Sequence, residues 1–294
     1  MSDFIQYIIY KFLTFLFRII PDFCIKYFLI LIAHLAIYLD GKHKKIVLKN
    51  LDIVFGDSLS KKEKSDILYE SYKTLLFNMY EFIENQYLSK EDMFKKVVLE
   101  NDEIITNAIN NKRDIIFVTA HYGGWELAIP YLGLKYGNLS VVSRKLNNQM
   151  IHKIFVEARN KNNIELISKE EAARGMVKAL RNHRYIAVAI DQSTHDGVEV
   201  DFFDTKVLAT DSTSRLAIKF DAVIIPIFAV MIDFKKYVIK VVEPIDILKI
   251  NFDDQRDKVS QLTQLQSDVV QKQIKELPQQ WFWQHRRWKN SIDY

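Results

Sequence analysis

The chain has 294 residues, 49% of them hydrophobic and 27% charged, with a formal net charge of +4; this is enough for one full α/β core and too little for two large domains. The charged fraction and a mean hydropathy of -0.08 exclude a polytopic membrane protein. The modest basic excess favours anionic lipid surfaces, phosphorylated substrates or an acidic carrier protein, and with no zinc spacing, phosphate loop or recognition helix a nucleic-acid partner is only weakly supported and not expected.

Residues 4–20 and 23–39 form two apolar helical runs hinged at Pro21 and interrupted by Lys11, Arg18, Lys26 and His34. Each is near the shortest length that spans a bilayer. A spanning helix, an interfacial hairpin and helices capping the core are all open, and no cleavage site suggests a removed signal peptide. Basic residues at Lys42, His43, Lys44 and Lys45 place the body on the cytosolic side if there is a span. Residues 1–40 are thus expected to anchor the chain and residues 41–294 to form the enzyme body. The single cysteine, Cys24, excludes an internal disulfide and is expected to be inert packing.

A short basic helix from residue 42 ends at Gly56, and Ser60 with Glu63 reads as a capping box opening a long helix. Leu68, Tyr72, Leu75, Leu76, Met79, Phe82 and Ile83 form its expected core stripe, with Glu81 and Glu84 expected as solvated charge. Beyond it, strands and helices alternate. Strands are expected at 95–99, 114–120, 139–144, 164–167, 185–191, 223–231 and 237–242, and helices near 102–111, 125–136, 149–161, 170–182, 213–220 and 253–276. The pattern is that of an α/β fold with a mostly parallel central sheet covered on both faces.

In such sheets functional groups gather at strand C-termini. The run Thr119-Ala120-His121-Tyr122-Gly123-Gly124-Trp125-Glu126 follows a fully apolar strand. It puts a base at the strand mouth, two glycines in the turn and a carboxylate in the next helix. An imidazole titrates near neutrality and a nearby carboxylate fixes its tautomer. Gly123 and Gly124 allow positive φ and close approach of substrate, and amides at the helix start can face an oxyanion. On residues alone, a capped helix start with a satisfied structural histidine is the more frequent outcome of this spacing.

The block resembles the His-x-x-x-x-Asp/Glu box of glycerolipid-type acyltransferases, and in its particular form the lipid A late acyltransferases, the lauroyl and myristoyl transferases of Gram-negative bacteria. Residues 139–148, 154–159, 186–192, 197–203 and 281–289 are similar to segments of that family in the same order, so the resemblance covers nearly all the chain after about residue 40. It implies a glycerolipid acyltransferase-like fold at the cytoplasmic face of the cell inner membrane. It also implies an acyl-acyl carrier protein donor, a lipid A precursor acceptor, surrounding membrane lipids and no cofactor. His121 and Glu126 would be catalytic, with Gly123, Gly124, Arg144, Arg159, Asp191 and Gln192 binding substrate and no metal site. Transfer to another glycerolipid or glycolipid, or a non-catalytic lipid-binding module, is the alternative.

Several residues keep two readings. Arg144 suits a lipid phosphate or an ion pair; Asp191 and Gln192 suit the acceptor or loop support; His195 has no second ligand at metal spacing. Phe202 and Phe203 line an acyl tunnel or plug the core. Trp281, Trp283 and Trp288, interleaved with Arg286 and Arg287, form a membrane-interface anchor or dock on the sheet. Asp204 and Ser212 to Ser214 stand where the family carries glycines, which bears on acyl-chain or acceptor preference.

Overall fold

A computed structural model describes residues 2–294. Helices α1 (Asp3–Ile19), α2 (Asp22–Leu39), α3 (Gly41–Phe55), α4 (Lys61–Glu84) and α5 (Lys90–Lys95) precede the first strand, β1 (Val97–Glu100). Helix α6 (Asp102–Asn110) leads to β2 (Ile115–Thr119), then α7 (Trp125–Tyr136), β3 (Leu139–Ser143), α8 (Gln149–Lys161), β4 (Ile164–Ser168), α9 (Ala172–Arg181) and β5 (Tyr185–Ala189). A hairpin, β6 (Val198–Phe202) and β7 (Thr205–Ala209), comes before α10 (Ser212–Phe220), β8 (Val223–Asp233), β9 (Lys236–Val241), β10 (Ile245–Asp246) and α11 (Lys258–Glu276).

The main sheet has the order β1-β9-β8-β2-β5-β3-β4, with β10 on the start of β8. Strands β8, β2, β5, β3 and β4 are mutually parallel; β9 runs antiparallel to β8 and parallel to β1. This is the expected mixed, mostly parallel sheet, and every residue of β2 is buried, as a strand covered on both faces must be. The chain leaves β2 for β3, skips one place, and returns to fill it with β5. It then crosses to β8 on the other side of β2. Connections from neighbouring strands thus depart in opposite directions, which opens a crevice at their C-terminal ends.

Along α4 one expectation holds and two are corrected. The capping box at Ser60 and Glu63 forms with both hydrogen bonds. The buried face, however, is Ile67, Leu68, Ser71, Tyr72, Thr74, Phe77, Asn78, Tyr80 and Glu81, with Met79 exposed. One residue turns a helix by about 100°, so a stripe centred a position away swings Met79 outward and Glu81 inward. Glu81 is fully buried, not solvated: Lys96 reaches it at 2.8 Å, and the Tyr237 hydroxyl donates to it at 2.9 Å. Lys96 also bonds Glu84, which pairs with Lys235 at 2.7 Å.

Helix α2 packs on α4 through Ile25, Leu29 and Ala33, spaced one per turn. Helix α1 contacts α4 and α8, and Asn148 donates to the Asp3 carbonyl at 2.7 Å. The outward faces stay apolar, with Phe4, Phe12, Phe15 and Ile19 exposed on α1 and Phe23, Phe28, Leu31 and Leu39 on α2. Among the described residues α2 is the helix long and apolar enough to cross a membrane. Cys24 lies exposed on α2 instead of in the core, because the α4-facing stripe is set by its neighbour Ile25.

The hairpin β6–β7 is absent from the sequence expectations. Its two-residue turn, Phe203-Asp204, has positive φ at both positions (51° and 57°), as such tight turns require. A glycine usually supplies that conformation; here Asp204 adopts it.

Candidate active site

His121 leaves the end of β2 two residues beyond Thr119, and Asp191 leaves β5 two residues beyond Ala189. Thr119 and Ala189 are paired in register, so the next inward pair is His121 and Asp191. Imidazole Nδ1 lies 2.8 Å from Asp191 Oδ1. Asp191 Oδ2 accepts the His121 backbone N–H at 2.9 Å and the Trp281 indole N–H at 2.8 Å. The opposite nitrogen, Nε2, is 3.3 Å from the Gln192 side-chain nitrogen. An ionised Asp191 only accepts, so Nδ1 carries the hydrogen and Nε2 offers a lone pair to the crevice.

Electrostatics reinforce this tautomer. Burial disfavours a charged Asp191, yet the His121 charge and the hydrogen bonds from His121 and Trp281 hold its carboxyl down at about 2, from a usual 3.8. Burial lowers His121, but the Asp191 charge and hydrogen bond, with a contribution from Glu126, outweigh it and leave the imidazole above its ordinary 6.5. Asp191 is therefore the carboxylate that orients the His121 imidazole.

Glu126 has a different partner. Its Oε2 receives Arg159 Nη2 at 3.0 Å, and Arg159 is 8% exposed with Nη1 buried and without a hydrogen-bond partner. The helix carrying Glu126 starts beneath Asn78 of α4, whose amide donates to the Gly123 carbonyl and whose oxygen accepts the Glu126 N–H at 3.4 Å. Asn78 is 1% exposed and was not expected at the site. Its only signal in sequence is a polar residue on the face of α4 that also carries Phe77 and Glu81.

The two glycines serve close packing within the protein. Gly123 has φ +53°, and a Cβ there would lie 2.0 Å from the Ala229 carbonyl oxygen. At Gly124 a Cβ would lie 2.6 Å from the Tyr237 ring. Their amides are also engaged, Gly123 N–H with the Gln280 carbonyl at 2.9 Å and Gly124 N–H with that of Ala229 at 2.7 Å. These two donors are committed to the fold and are not free for an oxyanion.

Arg144 is exposed just past β3, two strands from β2 along the same rim. His195 lies near Lys289, and no cluster of metal-binding side chains occurs among the described residues. Phe202 and Phe203 are buried against the tail tryptophans rather than lining an open tunnel. The tail itself is the largest departure from a membrane-interface reading. Trp281, Trp283 and Trp288 are at most 1% exposed, so they cannot sit at headgroup depth. Trp281 and Trp283 pack edge to face with centroids 4.7 Å apart. Segment 281–288 thus closes the site from below, and Phe282 with Trp125 flanks the imidazole.

Comparisons with known proteins identify the family. Residues 2–290 match the family model for bacterial lipid A biosynthesis acyltransferases. Lipid A biosynthesis acyltransferase 2 of Shigella flexneri is 26% identical over 71% of this chain and 67% of its own length. A phosphatidylinositol mannoside acyltransferase of Mycolicibacterium smegmatis is 25% identical over 41% of each chain, and one of Mycobacterium tuberculosis is 24% identical over 38% of this chain and 37% of its own. The chain spans about two fifths of the length of these mannoside acyltransferases. With the family model matched along almost the whole length, the chain belongs to the bacterial lipid A biosynthesis acyltransferase family.

Proposed function

We propose that the protein transfers a fatty acyl group from an acyl carrier protein thioester to a hydroxyl of a lipid A precursor. The observation that carries the reading is the buried Asp191 holding His121 with Nε2 open to the crevice. In this mechanism the acceptor hydroxyl enters beside Nε2 and displaces Gln192 from it. His121 takes the hydroxyl proton as the oxygen attacks the thioester carbonyl, and Asp191 stabilises the imidazolium. The tetrahedral oxyanion collapses, the C–S bond breaks, and His121 returns the proton to the departing thiolate. The Gln192 amide and the unpartnered Arg159 Nη1 are the donors available to the oxyanion, with Glu126 fixing Arg159. Arg144, exposed on the rim, is the group placed to meet a phosphate of the acceptor.

The α1–α2 pair is assigned to the cytoplasmic leaflet of the inner membrane. Both helices are held to the body on their inner sides by α4 and α8 and are apolar outward, which supports an interfacial mode. The similarity to phosphatidylinositol mannoside acyltransferases supports a second acceptor, another membrane glycolipid.

The test is mass spectrometry of membrane lipids from a deletion strain carrying wild-type protein or His121→Ala. One missing acyl chain on lipid A, restored by the wild type alone, is expected. Unchanged lipid A together with a changed glycolipid moves the assignment to the second acceptor, and equal restoration by the variant removes His121 from the chemistry.

A further inference from the structure

Behind Asp191 the tail builds a second polar layer. Arg287 is 2% exposed, and its Nη1 donates to the carbonyls of Gln192 at 3.2 Å and Leu208 at 2.7 Å. The guanidinium carbon lies 5.0 Å from the Phe202 ring centroid. Arg287 Nε is buried without a hydrogen-bond partner, and so is the Oγ of Ser267 on α11, a residue 6% exposed. Arg287 and Ser267 line one small cavity of about 10 Å³ together with Asp191, Thr210 and Thr263.

That volume accommodates a single water, which needs two to four polar partners. An N–H donor, a hydroxyl and a carboxylate edge meet the requirement, whereas leaving a buried donor unmatched costs about 1–3 kcal/mol. We infer that this cavity is a built site for one internal water, and that Arg287, through it and through the Gln192 carbonyl, is a positioning residue for the His121–Asp191 pair. The inference rests on the reading of His121 as the base.

The charge balance around the imidazole follows from four groups. Asp191 faces it from β5, Glu126 from α7 and His285 from the tail, and Arg287, also on the tail, faces Asp191. Burial, together with the charges of Arg287, His121 and Lys289, brings His285 down to about 4, so at neutral pH it is uncharged and accepts the Ser193 N–H at 3.2 Å. Arg287, lowered by burial to about 10, stays charged. Its cation faces Asp191 and works against the carboxylate's hold on the imidazolium.

Two effects separate by experiment. Arg287→Met removes the charge and the carbonyl bonds; Arg287→Lys keeps the charge and loses the fork. The full-length protein is assayed for kcat/KM with an acyl thioester and a glycolipid acceptor, from about pH 5.5 to about pH 9. In Arg287→Met the acid limb moves up by about one pH unit, so activity one unit below the wild-type limb falls about tenfold relative to the plateau. In Arg287→Lys the limb stays in place and the plateau falls several-fold. Ser267→Val, which fills the cavity and leaves Arg287 bonded, lowers the plateau kcat about threefold with KM unchanged and keeps the inference testable if Arg287→Met does not fold.

Equal limbs in all variants, or a Ser267→Val enzyme identical to wild type, overturns the inference. His121→Ala with wild-type activity instead overturns the underlying assignment of the base, whatever the Arg287 variants do.

Discussion

Replacing Asp191 by Asn tests the dyad through hydrogen-bond arithmetic. In the wild type, one carboxylate oxygen accepts two N–H donors, from the His121 backbone and the Trp281 indole, while the other accepts His121 Nδ1–H. An Asn of the same shape has one acceptor oxygen, and two rigid donors claim it. Its NH2 group then faces Nδ1, which has to become an acceptor, and the hydrogen moves to Nε2. The nitrogen facing the crevice loses its lone pair while the backbone geometry is kept. A positioned base contributes about 10²–10⁴ in rate, so Asp191→Asn should lose on the order of 10³ in kcat. Asp191→Ala, which imposes no tautomer, should lose less activity but be less stable, since two buried N–H groups are left unmatched at about 1–3 kcal/mol each. Initial rates of ester formation and a thermal melt on both variants check this, with nitrogen NMR of His121 reporting the tautomer. An Asp191→Asn enzyme retaining a tenth or more of wild-type kcat would refute the reasoning.

The base is neutral when active and its folded value is raised, so activity should climb with pH through a limb above 6.5; a limb at or below that value contradicts the Asp191 pairing. Asp191 itself is held at about 2, so its stabilisation is present above about pH 4 and is lost as pH falls toward 2, by acid titration of the unfolding free energy. Gly123→Ala forces a Cβ against the Ala229 carbonyl at positive φ and should cost about 3 kcal/mol, lowering Tm by roughly 5–10 °C; a melt within 2 °C of wild type, about the size of a 1 kcal/mol change, argues against that packing role. Lys96→Met leaves Glu81 buried without its cation and should cost about 3–5 kcal/mol in denaturant unfolding, whereas an unchanged midpoint means Glu81 is already neutral.

Local features of the site were readable from sequence, and contacts made across distant segments were not. A buried strand, a histidine, two glycines and a helix start are contiguous, and the capping box from Ser60 to Glu63 needs only four residues. The orienting carboxylate is different. Glu126 is near His121 in sequence, but Asp191, 70 residues away, is brought to it by β5 entering the place that β3 left open. The tail showed its tryptophans but not their burial, because composition alone serves a membrane interface and a core equally. Glu81 looked like solvated charge because its partners, Lys96 and Tyr237, come from other elements. The hairpin β6–β7 was missed because Phe203-Asp204 carries no Asn-Gly or Asp-Gly signal, though the structure gives it the same backbone turn.

The dependence of Asp191 on Trp281, and of Gln192 on Arg287, has a consequence for biosynthesis. Helices α1 and α2 leave the ribosome before the rest of the fold. The segment that completes the site is made more than 240 residues later. If α1 and α2 moor the nascent chain, the His121–Asp191 pair stays unfinished until the tail has folded under the sheet. A nonsense codon between α11 and Trp281 would leave a chain able to assemble most of its core yet missing the segment that fixes the His121–Asp191 pair.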